Sequence, residues 1–262
     1  MNYKISTTNK DVKQYLQKGY IIKNIKNIDS LEFIRNLFIK EIIKVLPNLK
    51  KIKPESILNN IHKKVSVKKL NEFRLKIFSN INKNKSFKNH YYNLSKEFLD
   101  EIVGNELVMQ SRINLSIQMP NDSSSLLPIH ADTWSGVSPF EAVVWLPLVE
   151  CYKTKTMYFF SKKKMIKIKK ILRNKNLNTD DLFKKIKKDV EWLDISYGQV
   201  LIFDQSIPHG NVINKEKETR WSMNCRFKGI FTPYGDKKIG EFYEPISLKP
   251  ATLRGIKYKH PF

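Results

Sequence analysis

The chain has 262 residues, of which 41% are hydrophobic, and a formal net charge of +23. That apolar content supports a full core, so disorder is excluded as the default, and the length suits one large domain or two small ones. Two cysteines cannot staple a chain of this size, which excludes a disulfide framework and fits a reducing, cytoplasmic setting. The charge raises nucleic acid as a partner, but it is carried by lysines scattered along the whole sequence while arginine is sparse. A biased genome composition explains it better, so no nucleic-acid partner is expected. Residues Met1 to Lys10 are polar and no run reaches the length of a membrane span, so neither export nor membrane insertion is expected.

In chain order, residues 9–19 read as a short helix ended by Gly19, followed by a strand from Tyr20 to Ile25. Asp29-Ser30 reads as an N-cap before an apolar stripe of Leu31, Ile34, Leu37, Phe38 and Ile42 at helical spacing. Residues 54–64, 66–82 and 92–103 carry similar patterns, so residues 1–105 are expected to be mainly helical. His62 and His90 stand alone there and fit surface or packing roles.

The pattern changes at residue 106. From Gln110 to Met119 the chain alternates, with Arg112, Asn114, Ser116 and Gln118 on one face and Ile113, Leu115, Ile117 and Met119 on the other. The polar face carries no lysine, which favours a wet interior over open solvent. A polar loop at 121–125 leads to Pro128-Ile129-His130-Ala131-Asp132, and strands follow over 142–148 and 157–160. Residues 161–190 break the β pattern: a basic amphipathic stretch from Lys162 to Leu172, then a helix capped at Thr179-Asp180-Asp181. This is a helical insertion whose basic face is solvated, with a calmodulin-type or membrane-surface helix and the attraction of a phosphorylated substrate as its alternatives. The β pattern resumes at Trp192–Ile195, turns at Ser196-Tyr197-Gly198, and continues through Gln199–Asp204, Pro208-His209-Gly210 and Thr219–Phe227. The region 106–245 is thus a mainly β core with helices around it, within one domain spanning 1–262, and residues 246–262 form a tail.

Two groups in this core carry chemistry. His130 and Asp132 lie two residues apart, so on extended backbone both point the same way and can meet one ion, with His209 brought in by the fold. Two imidazoles and a carboxylate on one face of an octahedral Fe(II) leave the other positions open for reactants. Arg220 and Ser222 share a strand face with Asn224 and Arg226, while Trp221, Met223, Cys225 and Phe227 share the other. A guanidinium with a hydroxyl two residues on can grip a carboxylate, such as the far end of 2-oxoglutarate. Arg226 and Arg112 stand next in line for that role.

His130-x-Asp132, His209-Gly210, Arg220-x-Ser222 and the preceding Gly198-x-x-Leu201-x-Phe203-Asp204 together resemble the Fe(II)/2-oxoglutarate-dependent dioxygenases, in their phytanoyl-CoA-dioxygenase-like branch. The phrase from His130 to Glu141, followed by Trp145-Leu146-Pro147-Leu148, is similar to bacterial oxygenases of streptomycin-type and other carbohydrate biosynthesis clusters. The resemblance implies a double-stranded β-helix, or jelly roll, with the iron between two sheets. It implies His130, Asp132 and His209 as the ligand set and catalytic centre, and Arg220 assisted by Ser222 as the anchor of 2-oxoglutarate. Asn114, Gln118 and Asn224 are candidates for polar contacts to the co-substrate or substrate. Trp134 is a candidate for the substrate mouth, with packing as its alternative, and Glu141 for orienting a ligand histidine, with a surface carboxylate as its alternative. Related halogenases lack the carboxylate that stands here as Asp132, so hydroxylation with O2 is expected. The expected substrate is a small polar molecule such as a sugar, aminocyclitol or nucleotide-sugar, phosphorylated or nucleotide-linked forms included. The competing readings are a metal-binding cupin-like protein without catalysis, which has no need of Arg220 and Ser222, and a basic nucleic-acid-binding protein.

Overall fold

A computed structural model describes residues 8–160, 171 and 179–261. Apart from Ile171, the expected basic helix from Lys162 to Leu172 lies outside the described residues. Helix α1 (Lys10–Lys18) starts where the Asn9 side chain accepts from the Asp11 and Val12 amides, and it ends at Gly19, which turns left-handed with φ 80°. Strand β1 (Tyr20–Asn24) follows. Helix α2 (Ile28–Val45) is capped by Asn27, whose side chain accepts from the Ser30 amide, and not by the expected Asp29-Ser30 pair. Asp29 already lies in the first turn, where its charge suits the positive end of the helix.

Helices α3 (Pro54–Asn59), α4 (Val67–Asn82), α5 (Phe87–Asn93) and α6 (Lys96–Ile102) follow. The single helix expected over 92–103 is a corner between α5 and α6, at Leu94 and Ser95, both buried. The strand expected from Gln110 to Met119 is also divided, into β2 (Leu107–Gln110) and β3 (Asn114–Gln118). The break is filled by Asn82 of α4: its carboxamide accepts from the Ile113 amide at 2.8 Å and donates to the Ile113 carbonyl at 3.1 Å. Arg112 therefore lies off the strands.

The remaining elements are β4 (Glu141–Pro147), β5 (Tyr158–Phe160), α7 (Thr179–Ile186), β6 (Val190–Trp192), β7 (Gln199–Asp204), β8 (His209–Gly210), β9 (Arg220–Gly229), β10 (Tyr243–Ser247) and α8 (Pro250–Ile256). The ten strands named among the described residues form two antiparallel sheets. The larger runs β1-β7-β4-β9-β2-β10, with β3 also paired to β9, and the smaller runs β6-β5-β8.

Strand β9 is the axis of the larger sheet. Its odd-numbered residues Trp221, Met223, Cys225 and Phe227 are all buried and face the helices. Trp221 meets Phe38 of α2 and Phe73 of α4 edge-on, and its indole N–H donates to the Leu58 carbonyl at 2.9 Å. Its even-numbered residues, from Arg220 to Lys228, are all polar or charged, and Arg220, Ser222, Asn224 and Arg226 face a space shared with His209 and Gly210 of the smaller sheet. Phe159 of β5 meets Phe203 of β7 across the gap with ring centroids 4.9 Å apart. The helical layer thus covers one face of the larger sheet, and the space between the sheets is left to the polar row. Both cysteines are buried free thiols. Among the described residues no helix is long and apolar enough to cross a membrane.

Candidate active site

His130 and His209 are placed by the backbone. They form an antiparallel bridge in which each amide donates to the other's carbonyl, at 2.9 and 2.8 Å, so His130 extends the smaller sheet beyond β8. The two rings end with centroids 4.4 Å apart. The bridge needs Gly210: a Cβ there would lie 2.9 Å from the Leu127 carbonyl oxygen and 2.6 Å from the Tyr158 hydroxyl.

The tautomers are set by hydrogen bonding. His130 Nδ1 lies 2.8 Å from the Pro128 carbonyl oxygen and His209 Nδ1 lies 2.8 Å from that of Ile207. A carbonyl oxygen only accepts, so both Nδ1 atoms carry the proton, and in the neutral rings both Nε2 atoms keep a lone pair. Burial, with the neighbouring His130, pushes His209 down to about 4, so it is neutral near pH 7.

Asp132 begins a short 3-10 turn (Asp132–Ser135), and its amide donates to the Gln205 carbonyl at 3.0 Å. Its Oδ1 stands 4.0 Å from His130 Nε2 and accepts from the Arg226 guanidinium at 2.9 Å. Among the described residues no three His, Cys, Asp or Glu side chains stand close enough to hold a metal ion as they are. Adjacent ligands, each about 2.1 Å from one ion, are about 3 Å apart, so the His130–Asp132 pair is about 1 Å too open. A side-chain rotation of Asp132 spans that distance.

Arg220 is 3% exposed. Its guanidinium donates to the Thr156 carbonyl at 3.2 Å and to Ser116 Oγ at 3.3 Å, while Nε has no partner. Burial pulls its pKa down, as for any cation lacking a counter-charge. Beside it, Ser222 Oγ is buried without a partner. Orphaned buried donors are costly unless something completes them, and a carboxylate fits both.

These groups meet in one cavity of about 570 Å³ between the sheets. His130, Asp132, His209, Arg220, Ser222, Asn114, Asn224 and Arg226 all line it. Val143, Trp145, Met157 and Phe203 give it apolar walls. The register explains the grouping: Asn114 faces Asn224 and Ser116 faces Ser222 across the β3–β9 ladder. Asn114 Nδ2 donates to Asn224 Oδ1 at 2.9 Å, and Gln110 Nε2 donates to Asn114 Oδ1 at 3.2 Å. Gln118 faces Arg220 in the same ladder but does not line the cavity; its amide donates to the Val212 carbonyl at 2.6 Å.

Two secondary expectations change. Trp134 is 44% exposed and does not line the cavity. Glu141 is 4% exposed, so it is not a surface carboxylate, and it sits by Arg226, Lys228, Tyr243 and Gln205 rather than by a histidine. Burial raises its pKa, and Lys228, its partner across β4 and β9, is pulled down to about 8 by its own desolvation. The sequence reading missed Asn71 and Arg74 of α4 and the 124–127 loop, which complete the cavity lining. No local pattern marks them, because the packing of α4 across the sheet opening is a tertiary fact. Arg226 was visible in the alternation, but its contact with Asp132 was not.

No protein-family profile matches the chain, and no curated protein matches it in sequence. Solved structures do match its fold. A non-heme monooxygenase, ThoJ, in its apo form is 12% identical over 91% of this chain and 84% of that one, with a TM-score of 0.52. HygX from Streptomyces hygroscopicus, with nickel and 2-oxoglutarate bound, is 10% identical over 89% of this chain and 91% of that one, with a TM-score of 0.52. SnoK, a non-heme alpha ketoglutarate dependent carbocyclase from nogalamycin biosynthesis, is 12% identical over 92% of this chain and 97% of that one, with a TM-score of 0.51. The chain therefore shares its fold with these non-heme enzymes.

Proposed function

We propose that this chain is an Fe(II)- and 2-oxoglutarate-dependent oxygenase that hydroxylates a small polar substrate. One observation carries the reading: a single cavity holds two imidazoles with free Nε2 atoms beside a carboxylate, and also a buried guanidinium and hydroxyl with unmet donors. His130, His209 and Asp132 would hold the iron on one face. The bound iron, with 2-oxoglutarate and O2, supplies the oxidising chemistry for an unactivated C–H bond.

The protein's own part is positioning. Arg220 Nε and Ser222 Oγ take the far carboxylate of 2-oxoglutarate, with Asn114 and Gln118 supporting that wall from β3. The carbonyls of Pro128 and Ile207 hold the two rings in the ligating tautomer. Val143, Trp145, Met157 and Phe203 keep water from the reacting atoms. A carboxylate at Asp132 fills the position that a halogenase leaves open, so hydroxylation is the expected outcome.

On this reading the two sheets form a double-stranded β-helix, and residues 1–262 work as one domain in a reducing cytoplasm. The amide- and hydroxyl-rich lining, with Asn71, Arg74 and Asn211 among it, suits a hydroxylated substrate such as a sugar, aminocyclitol or nucleotide-sugar. The nickel and 2-oxoglutarate bound in HygX and the alpha ketoglutarate dependence of SnoK support the co-substrate. The test is anaerobic addition of Fe(II) and 2-oxoglutarate, which is expected to give a weak visible charge-transfer band. A protein that binds iron and gives no band overturns the proposal.

A further inference from the structure

One wall of the cavity has no part in holding iron or 2-oxoglutarate. Helix α4 turns Val67, Leu70, Asn71 and Arg74 into it, at the i, i+3, i+4, i+7 spacing of a single helical stripe. Arg74 Nη2 donates to Asn71 Oδ1 at 2.8 Å, and Nη1 donates to the Leu115 carbonyl at 3.4 Å. Arg220 donates to the next residue of β3, Ser116, so two guanidiniums are fastened to consecutive residues of one strand. A guanidinium carries five N–H donors, and the two bonds leave three of Arg74's over. Among the described residues Arg74 takes part in no ion pair. The charges around the cavity are also unequal. Among the described residues that line it, Arg74, Arg220 and Arg226 stand against one carboxylate, Asp132. Fe(II) brings two positive charges and 2-oxoglutarate two negative ones, so the loaded site keeps the surplus of the three arginines over Asp132, which is two positive charges. The sum does not depend on which group pairs with which, and an unmatched charge is costly in a site that water leaves.

We propose that Arg74, with Asn71, binds a phosphoryl group of the substrate, so that the chain acts on a phosphorylated polyol and not on a free sugar or an aminocyclitol. The inference rests on the oxygenase reading of this cavity and narrows its substrate. A guanidinium fork matches the oxygens of a phosphoryl group. The Asn71 carboxamide, with its oxygen already given to Arg74, keeps its N–H groups as further donors beside that fork. A phosphate monoester carries nearly two negative charges near pH 7, and a sugar diphosphate bridge carries two, so either meets the surplus; a carboxylate meets half of it, and an aminocyclitol adds to it. Anchorage at the α4 wall leaves the carbon skeleton to reach across the cavity towards His130 and His209.

The experiment uses the full chain, kept anaerobic with Fe(II) and 2-oxoglutarate so that nothing turns over, and titrates it calorimetrically with glucose 6-phosphate, UDP-glucose, glucuronate and glucose. The parent is expected to bind a phosphorylated probe about 10-fold or more tightly than glucuronate or glucose, and the tighter of the two phosphorylated probes tells a monoester from a diphosphate bridge. Arg74→Gln should weaken that binding about 10- to 100-fold, the value of a charge-assisted bond, and leave the titration of 2-oxoglutarate itself unmoved. Arg74→Lys keeps the charge without the fork and should fall between the two. Thermal unfolding tells a misfolded variant from a folded one, and Arg74→Lys carries the test if Arg74→Gln does not fold. Phosphoryl binding that survives in a folded Arg74→Gln belongs to the surface lysines and overturns the proposal. A parent that takes none of the probes, or that prefers glucuronate or glucose, overturns it too. Weakened 2-oxoglutarate binding in Arg74→Gln overturns it and assigns Arg74 to the co-substrate. A parent that binds the phosphorylated probes but neither Fe(II) nor 2-oxoglutarate overturns the oxygenase reading beneath and leaves the phosphoryl site standing.

Discussion

At the scale of single residues, the site divides between groups with their bonds completed and groups left waiting. The imidazoles are held: each Nδ1 is used on a carbonyl, and both rings line the cavity. Arg220 and Ser222 are unfinished, with one donor each lacking a partner. Arg220→Ala is therefore expected to weaken 2-oxoglutarate binding about 10- to 100-fold, the value of a charge-assisted bond worth about 1.5–3 kcal/mol. Equilibrium titration of the co-substrate checks it, and an unaltered affinity moves the anchor elsewhere. Asp132→Ala is expected to abolish Fe(II)-dependent succinate formation; unchanged turnover removes Asp132 from the ligand set. Sequence alone put Arg220 and Ser222 on one face of a strand, because alternation follows from backbone geometry, and both stand on β9. It gave no sign that Gln118 would bond the Val212 carbonyl, or that Glu141 would be buried beside Lys228, since both depend on which distant segment lies opposite.

At the scale of elements, β9 does two jobs through its two faces. The outward face binds the helical layer and the inward face builds the cavity. Trp221→Ala removes the largest outward side chain from contact with Phe38 and Phe73. A loss of about 3–5 kcal/mol in denaturant unfolding is expected, as for other buried tryptophans. The short strand β8 has a different sensitivity. Gly210→Ala would press a methyl group on the Leu127 carbonyl and Tyr158, both fixed neighbours. A cost of about 1–3 kcal/mol follows from overpacking, together with a displaced His209 and weaker metal binding than in the parent. Calorimetric unfolding and a metal titration on the same sample check both parts. The division of β2 from β3 shows where local pattern stops. The alternation runs on from Gln110 to Met119, but the Asn82 side chain of α4 takes the Ile113 backbone and ends the pairing.

At the scale of the whole molecule, two sheets enclose a polar cavity, and a helical layer covers the far face of the larger one while α4 reaches the cavity with Asn71 and Arg74. Folding therefore buries His209 in its neutral form. Its pKa falls from the ordinary 6.5 to about 4, so between these values the unfolded chain binds more protons than the folded one. This contribution to stability is fully present above about pH 6.5 and is lost as the pH falls towards 4. Unfolding of the metal-free protein across this range, compared with His209→Gln, is expected to show the steeper acid loss in the parent; parallel curves would overturn the assignment. The sequence by itself determined the strand and helix periods, the Gly19 stop, the two faces of β9 and the spacing of His130 and Asp132. These are local consequences of backbone repeat and residue type. Only the tertiary structure decided that His130 bridges His209, that Arg226 meets Asp132, and that α4 supplies Asn71 and Arg74 to the cavity. Each joins segments far apart in the chain, and the approach is set by packing across the whole core, which no local stretch of sequence encodes.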